Sequence, residues 1–191
     1  MNILTDRRPC EIIIKGEAYP IRTDFRTWIR FSRMVENAVD VVAWAEIIIS
    51  VIEGEKLPDD FPSTISALSD FYILRDGQDE KTSRNDSGQR VRAYDYDVDA
   101  AHIYTAFLQQ YNIDLTKTDM HWWVFKYLLD GISDDTKFGK IVQYRCTDTS
   151  GIKDKETKKY YEKLKRTYAL PDKRTEEEIE QDFADSISRI L

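Results

Sequence analysis

The sequence predicts a mainly α protein, a multi-helix globular domain with a small β-hairpin at its N-terminus. Three observations predict it. Apolar residues recur at i, i+3 and i+4 spacing along most of the chain, while two-residue alternation is confined to the stretch before Ile21. Capping residues and glycine or proline stops bracket the helical segments. The composition, 41% hydrophobic and 12% aromatic in 191 residues, is that of a globular protein able to bury a core without covalent staples.

The hairpin comes first. In "CEIIIKGEAYPI", Cys10, Ile12 and Ile14 alternate with Glu11 and Ile13, Lys15-Gly16-Glu17 supplies a turn, and Pro20 marks the second strand as an edge. "TDFRTWIRFSRMVENA" follows as a helix capped by Thr23 or Asp24, with Phe25, Trp28, Ile29, Ser32 and Val35 on one face. "DVVAWAEIIISVIEG" is apolar almost all round between a cap at Asp40 and a stop at Gly54; the β-branched Ile47 to Ile49, Val51 and Ile52 also allow a strand, but the length favours a helix, which here needs cover on most sides. After the turn-rich "KLPDDFP", a further helix runs from Ser63 to Asp76.

Residues 77–90 contain no apolar side chain, and the sequence predicts a mobile loop inside one fold. "DYDVDAAHIYTAFLQQY" is a helix whose face is Val98, Ala101, Ile103, Tyr104, Phe107, Leu108 and Tyr111. "DMHWWVFKYLLDGI" is another, starting near Asp119 and stopping at Gly131; "SDDTKFGKIVQYR" follows it. "KDKETKKYYEKLKRTYAL" carries a stripe of Tyr160, Tyr161, Leu164 and Tyr168 and is stopped by Pro171. The expected division is a domain over residues 1–171 and an acidic tail, a marginal helix, over 172–191.

Charge and motif content narrow the function. A net charge of −7 and a pI of about 5.0 argue against a nucleic-acid binder, whose footprint is basic. The two cysteines, Cys10 and Cys146, read as free thiols in a reducing cytoplasm. The opening "MNILTDRRPCEIII", with its basic pair after residue 6 and only a short apolar run, does not read as a secretory signal, and the longest nearly apolar run, Val41 to Ile52, falls short of the roughly 20 residues that span a bilayer. Asp95, Asp97 and Asp99 begin like a calcium loop, but Ala100 and Ala106 stand where glycine and glutamate are needed, so they read as helix-capping acids. His102 and His121 have no ligands at metal spacing beside them, and no phosphate-binding glycine loop or nucleophile motif occurs. No catalytic, cofactor-binding or metal site is expected. Lys158, Lys159, Lys163, Lys165 and Arg166, with Tyr160 and Tyr161 between them, read as the solvated face of an amphipathic helix rather than a nucleic-acid surface.

Trp122 and Trp123 raise the question of an aromatic binding platform. Adjacent helical residues point about 100° apart, so the two rings do not share a plane. Trp122, Phe125 and Leu129 form one stripe and Trp123 with Tyr127 a second, which together make a core helix.

"TDFRTWIRF", "YDYDVDAAHIYTAFLQQYNIDL", "HWWVFKYLLDGI", "DDTKFGKIVQYR" and "IKDKETKKYYEKLKRTYALP" resemble, in order, the phage family known as bacteriophage gene product fifteen, from siphophages and prophages of Gram-positive hosts. The resemblance runs from about Asn2 to Pro171 and is loosest over Val35 to Asp60 and residues 77–90. It implies a tail-module protein of the host cytoplasm, a tail assembly chaperone that binds the tape measure protein, helps recruit tail-tube subunits, self-associates and is absent from the finished virion. It supplies no catalytic residues. Chaperone action needs an apolar surface for a partner helix. The sequence offers two: Trp44, Ile48 and Ile52 on the nearly all-apolar helix, for which simple burial in the core of the monomer is the other reading, and Ile179, Phe183, Ile187 and Ile190 in the tail, docking on a neighbouring copy. A structural tail protein that stays in the virion is the alternative, and a nucleic-acid binder a more distant one.

Overall fold

The computed structural model describes residues 2–37, 40–74 and 92–171. Strands β1 (Glu11–Ile14) and β2 (Glu17–Pro20) pair antiparallel, with Ile12 opposite Tyr19. Period-two alternation buries Ile12, Ile14 and Tyr19 and leaves Ile13 outside. Lys15 and Gly16 form the tip with φ of 51° and 85°, the doubly positive pair that a tight two-residue hairpin requires. Cys10 lies before β1 and is exposed, so it is not part of the alternation.

The chain then runs extended and is clasped from both sides. Arg22 N donates to Val51 O (2.8 Å) and Glu53 N to Pro20 O (2.8 Å); on the other side Trp122 N donates to Thr23 O (2.7 Å) and Phe25 N to Met120 O (2.9 Å). A short stretch thus ties two segments distant in sequence.

Among the described residues there are seven helices: α1 (Phe25–Asn37), α2 (Val41–Val51), α3 (Phe61–Tyr72), α4 (Ala100–Tyr111), α5 (Trp122–Asp130), α6 (Lys137–Cys146) and α7 (Lys155–Thr167). Side-chain oxygens cap most of them. Asp40 accepts from Ala43 N, Asp60 from Ser63 N, Thr136 from Gly139 N and Asp154 from Thr157 N.

Several boundaries differ from the sequence reading. Helix α3 starts at Phe61 rather than Ser63, because Asp60 is the cap and Pro62 fits the first turn, where its missing N–H costs nothing. Helix α4 starts only at Ala100; before it, Asp95 accepts from the amides of Asp97 and Val98 in a turn, and Val98 is exposed rather than on the buried face. Helix α5 is capped by His121, whose Nδ1 accepts from Trp123 N, and not by Asp119. Gly54 has φ of 98° but lies beyond the C-cap, Ile52. The predicted loop over 77–90 and the tail over 172–191 lie outside the described residues.

One hydrophobic cluster runs from Ile12 to Phe138. Helix α1 packs on α2 and α5, α4 on α5 and α6, α3 on β1, and α6 on α7. Aromatic rings form its centre: Phe125 stacks between Phe25 (4.8 Å) and Phe107 (5.1 Å), and Trp122 stacks on Tyr72 (5.2 Å). Trp122 is fully buried and Trp123 nearly so, as the core reading of α5 expects. Burial of ~150–250 Å² per tryptophan corresponds to about 4–6 kcal/mol of gross hydrophobic stabilisation each.

The two indoles also carry hydrogen bonds. Trp122 Nε1 donates to Tyr72 O (2.9 Å) and Trp123 Nε1 to Phe71 O (3.0 Å). These are consecutive carbonyls in the last turn of α3, where the regular helical partners run out; Phe71 O accepts from Leu74 N as well. The 100° offset that rules out a flat platform is what sends two neighbouring indoles to two neighbouring carbonyls.

Candidate partner-binding surface

The site begins with α2, because its sequence has more apolar faces than a core contact uses. Packing against α1 and the clasped segment buries Ile47, Ile48, Val51 and Ile52. Two residues of the expected contact, Ile48 and Ile52, are among them, so for these the alternative of simple burial in the core holds. Ile48 is 7% exposed and Ile52 2%, so both are covered within the fold, and Trp44 is half-buried against the core. The physical reason is the bridge between Ile21 and Ile52, which pulls the C-terminal end of α2 onto the hairpin. The face left open carries Val42 (67% exposed), Ala45 and Ile49 (55%), at i, i+3 and i+7, with exposed Glu46 along its border. Sequence periodicity missed it because a helix apolar on every side carries no signal of which side meets the body. The other proposed contact, Ile179, Phe183, Ile187 and Ile190, lies outside the described residues.

The acidic triplet is separated by the fold. Asp99 is buried and forms a two-pronged ion pair with buried Arg145, at 2.6 and 2.9 Å. Arg145 also donates through Nε to Tyr168 O (2.6 Å) and through an Nη to Ala93 O (3.1 Å). One guanidinium therefore joins the start of α4, the segment before it, α6 and the end of α7. Asp99 occupies the N-cap position of α4 but makes no side-chain cap, which corrects the capping reading. Asp97 instead pairs with Arg33 at 2.9 Å. Nothing local in the sequence announces a pair 46 residues apart.

A polar cavity of about 230 Å³ lies between α1 and residues 92–97, lined by Ser32, Arg33, Tyr72, Tyr94 and Asp97 among others. Beside it Lys126 donates to Tyr94 Oη at 2.6 Å. Burial alone pulls the Lys126 pKa down, but Tyr94 and Asp130 outweigh it, so this lysine sits above its ordinary value and stays charged. Burial keeps Tyr72 and Tyr96 protonated.

The histidines are apart. His102 is half-buried on α4, and His121 bridges Trp123 N and Pro9 O (2.9 Å). Burial lowers the His121 pKa, opposed by the Pro9 bond and reinforced by Arg8. Among the described residues no group of three or more His, Cys, Asp and Glu side chains is placed to hold a metal ion. No described helix is long and apolar enough to cross a membrane. On α7, Tyr161, Leu164 and Tyr168 face the body, whereas Tyr160 is 56% exposed and lies outside the predicted stripe.

No curated protein and no solved structure matches the chain. The model of the family described as Bacteriophage Gp15 protein matches residues 4–170, nearly the whole described fold, which supports a phage structural or assembly-related protein. The chain, a mainly helical domain with an N-terminal hairpin and an open apolar face on α2, belongs to the Bacteriophage Gp15 protein family.

Proposed function

We propose that this protein is a non-enzymatic tail assembly chaperone of a siphophage or prophage of a Gram-positive host. It binds the tape measure protein in the host cytoplasm, helps recruit tail-tube subunits and is left out of the virion. Family membership supports a phage assembly role. The observation that carries the finer reading is the open apolar face of α2. Val42 and Ile49, more than half exposed, are β-branched side chains that folding leaves uncovered, and they lie on one helical face with Ala45. Such a face suits an amphipathic partner helix laid alongside it, with apolar anchors at i, i+3 and i+7. Trp44, half-buried on the neighbouring face, borders the contact.

The test is co-expression with the tape measure protein of the same genome, with the tail-tube subunit as second bait. The expected result is a tape measure that stays soluble and co-purifies, and Ile49→Asp that folds but no longer retains it. An insoluble tape measure with nothing co-purifying removes the chaperone reading. Finding the protein in purified virions by mass spectrometry would put a structural tail role in its place.

A further inference from the structure

We propose that the outer face of α7 is the docking surface for the acidic C-terminal segment of the same chain, residues 176–185. Lys155, Lys159, Lys163 and Arg166 stand at i, i+4, i+8 and i+11 on α7, so they form one stripe; all four are exposed, and exposed Glu162 lies beside them, leaving a surplus of positive charge on this face. The opposite face is pinned to α6, where Tyr144 meets the rings of Tyr161 (6.4 Å) and Tyr168 (5.8 Å), and Lys165 donates to Thr147 O. Among the described residues no carboxylate lies within salt-bridge distance of any of the four stripe cations; the acids whose pairs are defined serve other bases.

A cationic row left open on a chain of net charge −7 calls for an anionic occupant, and the sequence supplies one nearby. Glu176, Glu177, Glu178, Glu180, Asp182 and Asp185 lie within ten residues that contain no base. Only residues 172–175 separate Pro171 from this run. Four residues extend ~13–14 Å, enough to cross the ~8–10 Å between packed elements and return along α7. The stripe spans eleven residue steps of helix, roughly 16 Å, which a ten-residue segment covers in any conformation near helical length or longer. A tether this short gives an effective concentration on the order of millimolar, which favours the chain's own segment over a second copy. The clasp covers the basic, Tyr160-bearing helix and so withholds it from other polyanions.

Carbodiimide cross-linking, which joins touching lysines and carboxylates without a spacer, tests this on the full chain. The sample is an equal mixture of unlabelled and ¹⁵N-labelled protein at ~0.01 M and ~1 M NaCl, where the screening length falls from ~30 to ~3 Å. The expected links run from Lys155 or Lys159 to carboxylates of residues 180–185, within one isotopic species, and disappear at high salt. Lys163→Glu with Arg166→Glu should cut their yield severalfold while the far-ultraviolet circular dichroism stays unchanged. No such links, or an unaltered yield in that variant, would overturn the proposal. Mixed-isotope links would overturn it in favour of a second copy. Binding of a single-stranded oligonucleotide that the same variant abolishes, with no tail link, would overturn it in favour of nucleic acid.

Discussion

Helices α5 and α7 each carry a pair of adjacent aromatic residues, Trp122-Trp123 and Tyr160-Tyr161, yet the fold treats them differently. Both tryptophans are buried, whereas Tyr161 is half-buried and Tyr160 exposed; α7 has no buried residue at all. Neighbours on a helix face two directions. Both can be buried only where two elements meet the helix. Helix α5 has that: α1 and α4 pack on it, and the end of α3 offers two carbonyls to its indoles. Among the described residues helix α7 packs chiefly on α6, through the ring contacts of Tyr144 and the Arg145 to Tyr168 bond. An aromatic pair is therefore no measure of burial; the number of neighbouring elements is.

Trp122 is where α5 depends most on its neighbours. Trp122→Ala should cost about 3–5 kcal/mol, enough to unfold a marginal domain, and chemical denaturation reads it. Trp122→Phe, which keeps most of the ring volume but leaves Tyr72 O without the indole, should cost about 1–3 kcal/mol. Next is the ion pair that anchors α7 from below. Asp99→Asn leaves Arg145 buried without its countercharge and should cost about 3 kcal/mol, while Asp99→Leu with Arg145→Met should recover much of that. Recovery of stability in the double variant with lost protection of α7 in hydrogen exchange would show that the pair places α7 rather than stabilising the whole.

Gly139→Ala probes the packing between these regions. A Cβ there would stand 2.4 Å from Ser133 O, which is backbone and cannot step aside, so a loss of about 1–3 kcal/mol is expected in the midpoint of urea unfolding. His121 sharpens the account of α5 through pH. Its cap role needs Nδ1 unprotonated, and its folded pKa lies below the ordinary 6.5. Its contribution is therefore complete above pH 6.5 and is lost as pH falls through the lower folded value. His121→Asn should retain the cap and flatten the stability profile over that window. The smallest global effect belongs to α7: Tyr161→Ala should shift stability by less than about 1 kcal/mol yet speed exchange across Lys155–Thr167. An equal loss across the whole chain would show that α7 is as integral as α5.

Much of this was legible in the residues. The hairpin followed from Ile12 and Ile14 against Ile13, and the core role of Trp122, Phe125 and Leu129 from their spacing. The caps at Asp40 and the stop before Pro171 were local chemistry, read locally. What escaped was non-local. Asp99 looks like a capping acid until Arg145 reaches it across 46 residues. Gly139 looks like any helical glycine until Ser133 lies against it. Ile48 and Ile52 looked like available anchors until the clasped strand covered them.

The class of fold, the order of its elements, the lack of familiar catalytic motifs and the aromatic content of the core are all written in the residues. Each of these depends on contacts within a few residues or on composition, which periodicity and capping chemistry express directly. Which side of α2 stays open, which tyrosine of α7 faces out and where Asp99 and Arg145 find their partners are settled in three dimensions. Those outcomes depend on how helices are turned about their own axes against one another. A rotation of one residue, about 100°, exchanges a buried face for an exposed one without changing a letter of the local pattern.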